Sequence, residues 1–321
     1  MLPKRSLSEP DMPAVITRGA FSAKAFGFGA STGGADGTVG IFALGANTTT
    51  RNKYTFSSDT NASATASSAT SSGGAAVGNS TRGIFSIGLV SACGIVATRN
   101  KYTYSSDVNS SATAASSASF RSSAAGNSTR GIFALGYTTA VGNASTTRNK
   151  YTYASDTSGS ATAASAASQF GTAAGNSTRG IFALGQDGSS TALTTRDKYT
   201  YACDTSGTAT AASAASSAGS AAGNSTRGIF ALGLVSGFAS TTRNKYTYSC
   251  DTNSSATASS SSGYGGAAAG ISTFGILALG NGGSTRNKYT YACDTNGTAA
   301  ASSAATQCGA AASNGTVGVN V

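Results

Sequence analysis

Two apolar patterns alternate along the chain. The first is a short run, Ile-Phe-Ala-Leu, closed at each end by Gly. It starts at Gly40, Gly83, Gly131, Gly180, Gly228 and Gly275, with small changes in the second and last copies. A run of this length between glycines suits a strand buried on both faces and is too short for a helix. The second pattern has period two and reads Arg-Asn-Lys-Tyr-Thr-Tyr or a near copy, starting at Arg51, Arg99, Arg148, Arg196, Arg243 and Arg286. As a strand it puts Arg51, Lys53, Thr55, Ser57 and Asp59 on one face, and Asn52, Tyr54, Phe56, Ser58 and Thr60 on the other. Each buried Tyr on that second face then needs a partner for its hydroxyl.

Two more segments complete the unit. An Ala-rich stretch and the string Gly-Asn-Ser-Thr-Arg-Gly precede the Ile-Phe run, and Gly and Asn tolerate the positive φ of a tight hairpin. An alternating Ser-Ala-Thr-Ala-Ala-Ser segment follows each repeat Asp and completes four strands. Copies recur at intervals of 43 to 49 residues, a period that belongs to propellers and other stacked arrays. The expected fold class is all-β, a β-propeller of four-stranded antiparallel blades.

The ends suggest how the ring closes. From Ala310 to Val321 the chain repeats the first two strands of a blade, and Val15 to Ala30 holds Thr17-Arg18 with Phe21, Phe26 and Phe28, able to supply the other two. A composite blade built this way removes open edges and brings the count to seven; six blades is the alternative. Residues 1–14 read as a tail or arm and 15–321 as one propeller domain.

A hairpin, an aliphatic-aromatic strand ending in Gly, a variable loop and a strand of the form Lys-Tyr-Thr-Tyr-x-x-Asp-Thr together resemble the kelch-type β-propeller repeat over about 300 residues. The chain differs from that family in carrying mostly one Gly after the second strand and no Trp. It is also similar to repeat-rich phage structural proteins.

Charge changes the picture less than its size suggests. The net charge is +10, and it belongs to the repeat. Each copy carries one Arg, one Lys and one Asp: Arg51, Lys53, Asp59; Arg99, Lys101, Asp107; Arg148, Lys150, Asp156; Arg196, Lys198, Asp204; Arg243, Lys245, Asp251; Arg286, Lys288, Asp294. Arg82, Arg130, Arg179 and Arg227 add the remainder. A basic surface attracts nucleic acid, glycan or lipid, but identical groups around a ring read as a structural ladder of ion pairs, each Asp meeting an Arg or Lys of its own or the next blade. No nucleic-acid site is evident. Catalysis needs an asymmetric site, so these groups point away from an enzyme. With no His in the chain, no metal centre of the usual zinc or copper kind is expected, and no cofactor.

Cys203, Cys250 and Cys293 share a repeat position with Ser58, Ser106 and Ser155 and read as Ser-sized packing residues, too far apart for disulfides. Asp197 in place of Asn, and Phe274 in place of Arg, either mark a partner face or are drift. The better candidates for partner binding are the unequal loops 46–50, 89–98, 137–147, 186–195, 234–242 and 281–285, with Tyr137, Gln186, Asp187, Leu234, Val235 and Phe238 as contact points. Asn79, Asn127, Asn176 and Asn224 begin Asn-x-Thr triplets that turn geometry explains without glycosylation. Residues 1–13 lack the apolar stretch of a Sec signal, and no run is long enough for a membrane span. The expected role is therefore a non-enzymatic structural or adhesion propeller, part of a virion (a phage capsid decoration, fibre or tail component) or extracellular surface. Its partners would be other structural proteins of a particle or surface assembly, with a host surface glycan as a further candidate. A multivalent lectin-like module is the alternative.

Overall fold

The computed structural model describes residues 38–91 and 93–315. The chain divides into two units, Met1–Gly33 and Gly34–Val321, and the second carries all the described structure. Among the described residues it contains strands and turns only. Six antiparallel sheets of four strands are present among the described residues, each running from an inner strand to an outer one. Blade 2, for example, consists of Ala76–Gly78, Arg82–Ser86, Arg99–Thr103 and Val108–Ala112. Blade 3 consists of Ser123–Gly126, Arg130–Ala134, Arg148–Thr152 and Thr157–Ala161.

Closure follows from the C-terminal strand. Ala310–Ser313 pairs with Val39–Ala43, Ile41 opposite Ala312 and Phe42 opposite Ala311, and so becomes the inner strand of blade 1. The other two strands of that blade are Arg51–Thr55 and Thr60–Ala64. Each of the six inner strands lies against its two neighbours, making a closed ring. Both termini thus contribute to one composite blade, but it counts among the six, because its missing strands come from 39–64. Val15 to Ala30, expected to supply a seventh blade, lies outside the described residues, as does the tail 1–14.

Small residues permit this packing. Inner strands such as Ala75-Ala76-Val77 and Ala173-Ala174 are fully buried. Gly180 lies within the second strand of blade 4, where an added Cβ would stand 2.8 Å from Ala125 Cβ of blade 3. The glycine at the head of the Ile-Phe run therefore sets the distance between blades. Apolar clusters form between blades: Val77 and Ile84 of blade 2 meet Phe133, Tyr151 and Tyr153 of blade 3.

Two local expectations need correction. The Gly-Asn-Ser-Thr-Arg-Gly turn does not use positive φ at Asn. Instead Asn79 Oδ1 accepts the amides of Thr81 and Arg82, both at 3.0 Å, so the side chain closes the turn. The outer strand starts right after the Asp, as in Thr157–Ala161, about three residues earlier than the Ser-Ala-Thr-Ala-Ala-Ser segment. The end of that segment becomes the crossing to the next blade.

Candidate functional site

The repeated charges lie between blades. All six repeat Arg residues are almost completely buried, and each reaches forward to the next blade. Arg51 Nη2 donates to Asn100 Oδ1 at 3.1 Å and Nη1 to Asn109 Oδ1 at 2.8 Å. Its guanidinium lies 4.6 Å from the centre of the Phe85 ring. Arg99 uses Asn149 and Ser158, Arg196 uses Asn244 and Asn253, and Arg243 uses Asn287 and Asn296. Arg286 closes the circle on Asn52 and Asn61 of blade 1. None of these Arg residues pairs with the repeat Asp. Its flat fork matches amide oxygens and its face stacks on a ring, which suits an apolar slot better than a Lys ammonium would. Burial presses the guanidinium of Arg51 down to about 10.

Lys and Asp make the second tie. Lys101 Nζ stands 2.5 Å from Asp156 Oδ2, and the pairs Lys150–Asp204, Lys198–Asp251 and Lys245–Asp294 measure 2.6, 2.8 and 2.6 Å. Lys53–Asp107 is looser, at 3.7 Å. Lys288 leans over the Phe274 ring instead, 4.3 Å from its centre, and forms no ion pair with Asp59 among the described residues. The Asp is a hub. Asp156 accepts the Tyr151 hydroxyl of its own blade and the Thr113 amide of the previous one, while its carbonyl accepts the Thr113 hydroxyl. Partial burial raises its carboxyl, but the bonds from Lys101, Tyr151 and Thr113 prevail and hold it at about 2. All six of these Asp residues adopt left-handed backbone, φ 50° to 53°, a conformation Asp tolerates better than most residues.

The first Tyr of each copy thus finds its hydroxyl partner in Asp. The second does not: Tyr104, Tyr153, Tyr201, Tyr248 and Tyr291 have buried hydroxyls without a hydrogen-bond partner among the described residues. Glycines make the room, since a Cβ on Gly78 would lie 2.5 Å from the Tyr104 hydroxyl. Blade 1 replaces both members. Phe56 stands for Tyr, and Ser313, opposite Gly40 as Gly78 is opposite Gly83, stands for Gly. The ring loses an oxygen where the strand gains a side chain, whose Oγ donates to the Gly270 carbonyl at 2.7 Å.

The departures from the repeat are structural too. Asp197 accepts Arg148 Nη2 at 2.7 Å with both side chains sealed from solvent, so it marks no partner face. Phe274 packs edge-on against Phe56 at 5.8 Å across the joint between blades 6 and 1, replacing a polar tie with an aromatic one.

What remains unequal gathers at one end of the sheets, where the loops joining second to third strands meet those joining one blade to the next. At the axis six equivalent positions, Gly73, Arg121, Phe170, Ala218, Gly265 and Cys308, all have φ between 50° and 62°. Amide-to-carbonyl bonds pass around them, as from Phe170 to Arg121 at 3.0 Å and from Gly73 to Cys308 at 2.9 Å. They line a solvent-open pocket of about 30 Å³, room for about one water. Left-handed backbone costs ~1–2 kcal/mol at a non-Gly residue, and four of the six are not Gly. Arg121 lies between the Phe120 and Phe170 rings, 4.8 and 4.1 Å from their centres, and donates to Gln169 Oε1 at 3.0 Å. Sequence reasoning missed this cluster; its signal is an Arg outside the repeat set, just before the Ala-rich strand.

Around the axis three loops form short hairpins, Leu89–Val90 with Gly94–Ile95, Tyr137–Thr138 with Asn143–Ala144, and Leu234–Val235 with Phe238–Ala239. Phe238 is 78% exposed and Val141 60%, each near the tip of its hairpin. Tyr137, Leu234 and Val235 are half-buried at the bases. Gln186 pairs with Gln169 through both main-chain bonds at 2.8 Å, and Asp187 caps its own turn by accepting the amides of Ser189 and Thr191. Gln186 and Asp187 are thus occupied in holding a loop. Cys203, Cys250 and Cys293 are exposed in turns at the opposite end, not packed as expected, because their turn projects beyond the sheet.

No protein-family model matches the sequence, and no curated protein sequence matches it. Among solved structures the chain is similar to TolB from Acinetobacter baumannii, with a TM-score of 0.54 and 8% identity over 86% of this chain and 66% of that one. It is similar to YjhT with a TM-score of 0.60 and 9% identity, over 82% of this chain and 97% of that one. The chain spans just under two thirds of the TolB structure. Both are β-propeller-type folds, and at such low identity the likeness extends to the fold: the chain is a β-propeller built from repeats.

Proposed function

We propose that this chain is a non-enzymatic, kelch-like propeller acting through protein-protein contacts, a structural or adhesion component of a virion or an extracellular surface. One observation carries the reading: the repeated charged groups are engaged between blades, while the two most exposed large apolar residues among those described, Phe238 and Val141, stand on the loop face. Aromatic anchors on a rigid frame are the usual core of a protein interface.

The test is photo-crosslinking from the producing cells, with benzoylphenylalanine at Phe238 and, as control, at Ser177, exposed in a turn on the opposite end. A discrete crosslinked protein from position 238 alone, together with sedimentation of the chain in particles, is the expected result. Equal crosslinking from both ends, or a chain that stays monomeric in the cytosol, overturns the reading. Saturable binding on a glycan array with several equivalent sites would instead favour the lectin-like alternative.

A further inference from the structure

The end opposite the loop face carries a different feature, independent of that reading. In blades 2 to 5 the second strand begins with Arg, which crosses to the next blade. Arg82, Arg130, Arg179 and Arg227 donate through Nη1 to the main-chain carbonyls of Tyr153, Tyr201, Tyr248 and Tyr291 at 3.0, 2.9, 2.9 and 2.7 Å. Beside it the turn Asn donates to a second carbonyl of the same neighbour, as Asn79 Nδ2 does to Ser128 at 3.3 Å and Asn127 Nδ2 to Ser177 at 3.0 Å. Between blades 1 and 2 both donors are gone. Val39 stands in the Arg position, and Asn314 turns its Nδ2 to Thr38 Oγ1 of its own blade. No donor among the described residues reaches the carbonyls of Tyr104 or Ser80.

The consequence is a cleft of about 510 Å³ between the two blades, lined by Val39, Lys53 and Asn314 on one side and by Ser80, Thr81 and Tyr104 on the other. The neighbouring Lys53–Asp107 pair is the widest of its kind at 3.7 Å, against 2.5 to 2.8 Å elsewhere. The joint between blades 6 and 1 also lacks the Arg, but there Phe274 fills the space against Phe56.

We propose that this cleft is a binding site for a guanidinium group, as carried by an arginine side chain. Four sister interfaces hold a guanidinium in the equivalent place beside an equivalent Lys, each donating to the Tyr carbonyl that corresponds to Tyr104, and the fork leaves further donors for a second acceptor. The group belongs to an arginine of another polypeptide, presented as the sister arginines are, after Ser-Thr and before Gly.

The probe is the capped peptide Ser-Thr-Arg-Gly, titrated into the full chain and into Val39→Arg, with citrulline replacing Arg in a control peptide. A ¹³C-labelled Tyr104 carbonyl reports occupancy directly. Saturable binding to the full chain with a shift of the Tyr104 carbonyl, weakened at least tenfold by citrulline and by Val39→Arg, is the expected result. No saturable binding to the full chain, or binding unchanged by Val39→Arg or by citrulline, overturns the proposal. Melting curves establish that Val39→Arg is folded, and the carbonyl shift in the natural sequence stands without that variant.

Discussion

Arg148 of blade 3 and Asp197 of blade 4 form an ion pair at 2.7 Å with neither side chain exposed. The five sister Arg residues occupy the same kind of slot with a neutral Asn in place of Asp. The slot therefore holds a buried guanidinium without a counter-charge, through amide oxygens and, at most joints, a stacked ring. A buried ion pair gains little over a neutral, fully bonded alternative, whereas removing one partner costs several kcal/mol. Asp197→Asn should change stability by no more than about 1 kcal/mol. Asp197→Ala also strips the acceptor from the Ser165 amide and hydroxyl, and should cost about 3 kcal/mol. Urea unfolding of both variants measures the difference.

Acid should loosen the ring unevenly. A carboxyl whose pKa is lower folded than unfolded adds stability that is complete above its unfolded value and lost as pH falls towards the folded one. Asp156, held at about 2 by Lys101, Tyr151 and Thr113 against partial burial, loses its contribution gradually as pH falls from about 4 towards 2. Asp59, with no ion pair among the described residues, and Asp107, with the loose Lys53, are lowered as well, but with less help from Lys. Melting temperature should hold from neutral pH to about 5 and fall below about 4. Carboxyl ¹³C titration should show Asp59 and Asp107 protonating before Asp156. Simultaneous protonation of all six would contradict the graded ladder. Asp156→Ala, which removes three bonds at once, should cost about 2–3 kcal/mol at pH 7.

The period-two strand and the glycine-bounded run made the blade legible in the sequence, because both follow from which residues share a face. The partners of the charged groups were not legible. Arg51 and Asn100 lie 49 residues apart, and charge alone favours pairing each Asp with an Arg or Lys. Each Lys–Asp pair and each Arg–Asn pair exists only once neighbouring blades face each other. The same holds for the blade count, which depends on Ala310–Ser313 choosing Val39–Ala43 as its neighbour. On the loop face the variable lengths were visible beforehand, but the axial ring was not, since its members share a backbone conformation and no side-chain type.

The five thiols offer a direct check on the turns. Cys93, Cys203, Cys250 and Cys293 are exposed, whereas Cys308 is half-buried at the axis. Reactivity follows exposure and thiolate content. Hydrogen bonds from Thr252 and Ser249 lower the Cys250 thiol, and burial raises that of Cys308, beside Ser72 and Arg121. With a disulfide reagent at pH 7.5 or so, Cys250 should react early and Cys308 last. Peptide mapping of the partly labelled protein gives the order. Early labelling of Cys308 would mean that the axial ring opens in solution.

The exchange of Tyr and Gly for Phe and Ser in blade 1 can be tested as a pair. In blades 2 to 6 the second Tyr points its hydroxyl at a glycine, and a Cβ on Gly78 would stand only 2.5 Å from that oxygen. Ser313 carries such a Cβ, and Phe56 lacks the oxygen. Phe56→Tyr alone therefore forces an oxygen against the Ser313 side chain, and overpacking of this kind costs about 1–3 kcal/mol. Ser313→Gly alone gives up the bond to Gly270 and leaves a void, at about 1–2 kcal/mol. Together they rebuild the arrangement of the other five blades, so the double variant should be more stable than the sum of the singles implies, by about 1 kcal/mol or more. Unfolding free energies of the four proteins in one buffer give this coupling directly. Additive effects would mean that the two positions do not compensate, and that the aromatic contact between Phe56 and Phe274 alone selects Phe in blade 1.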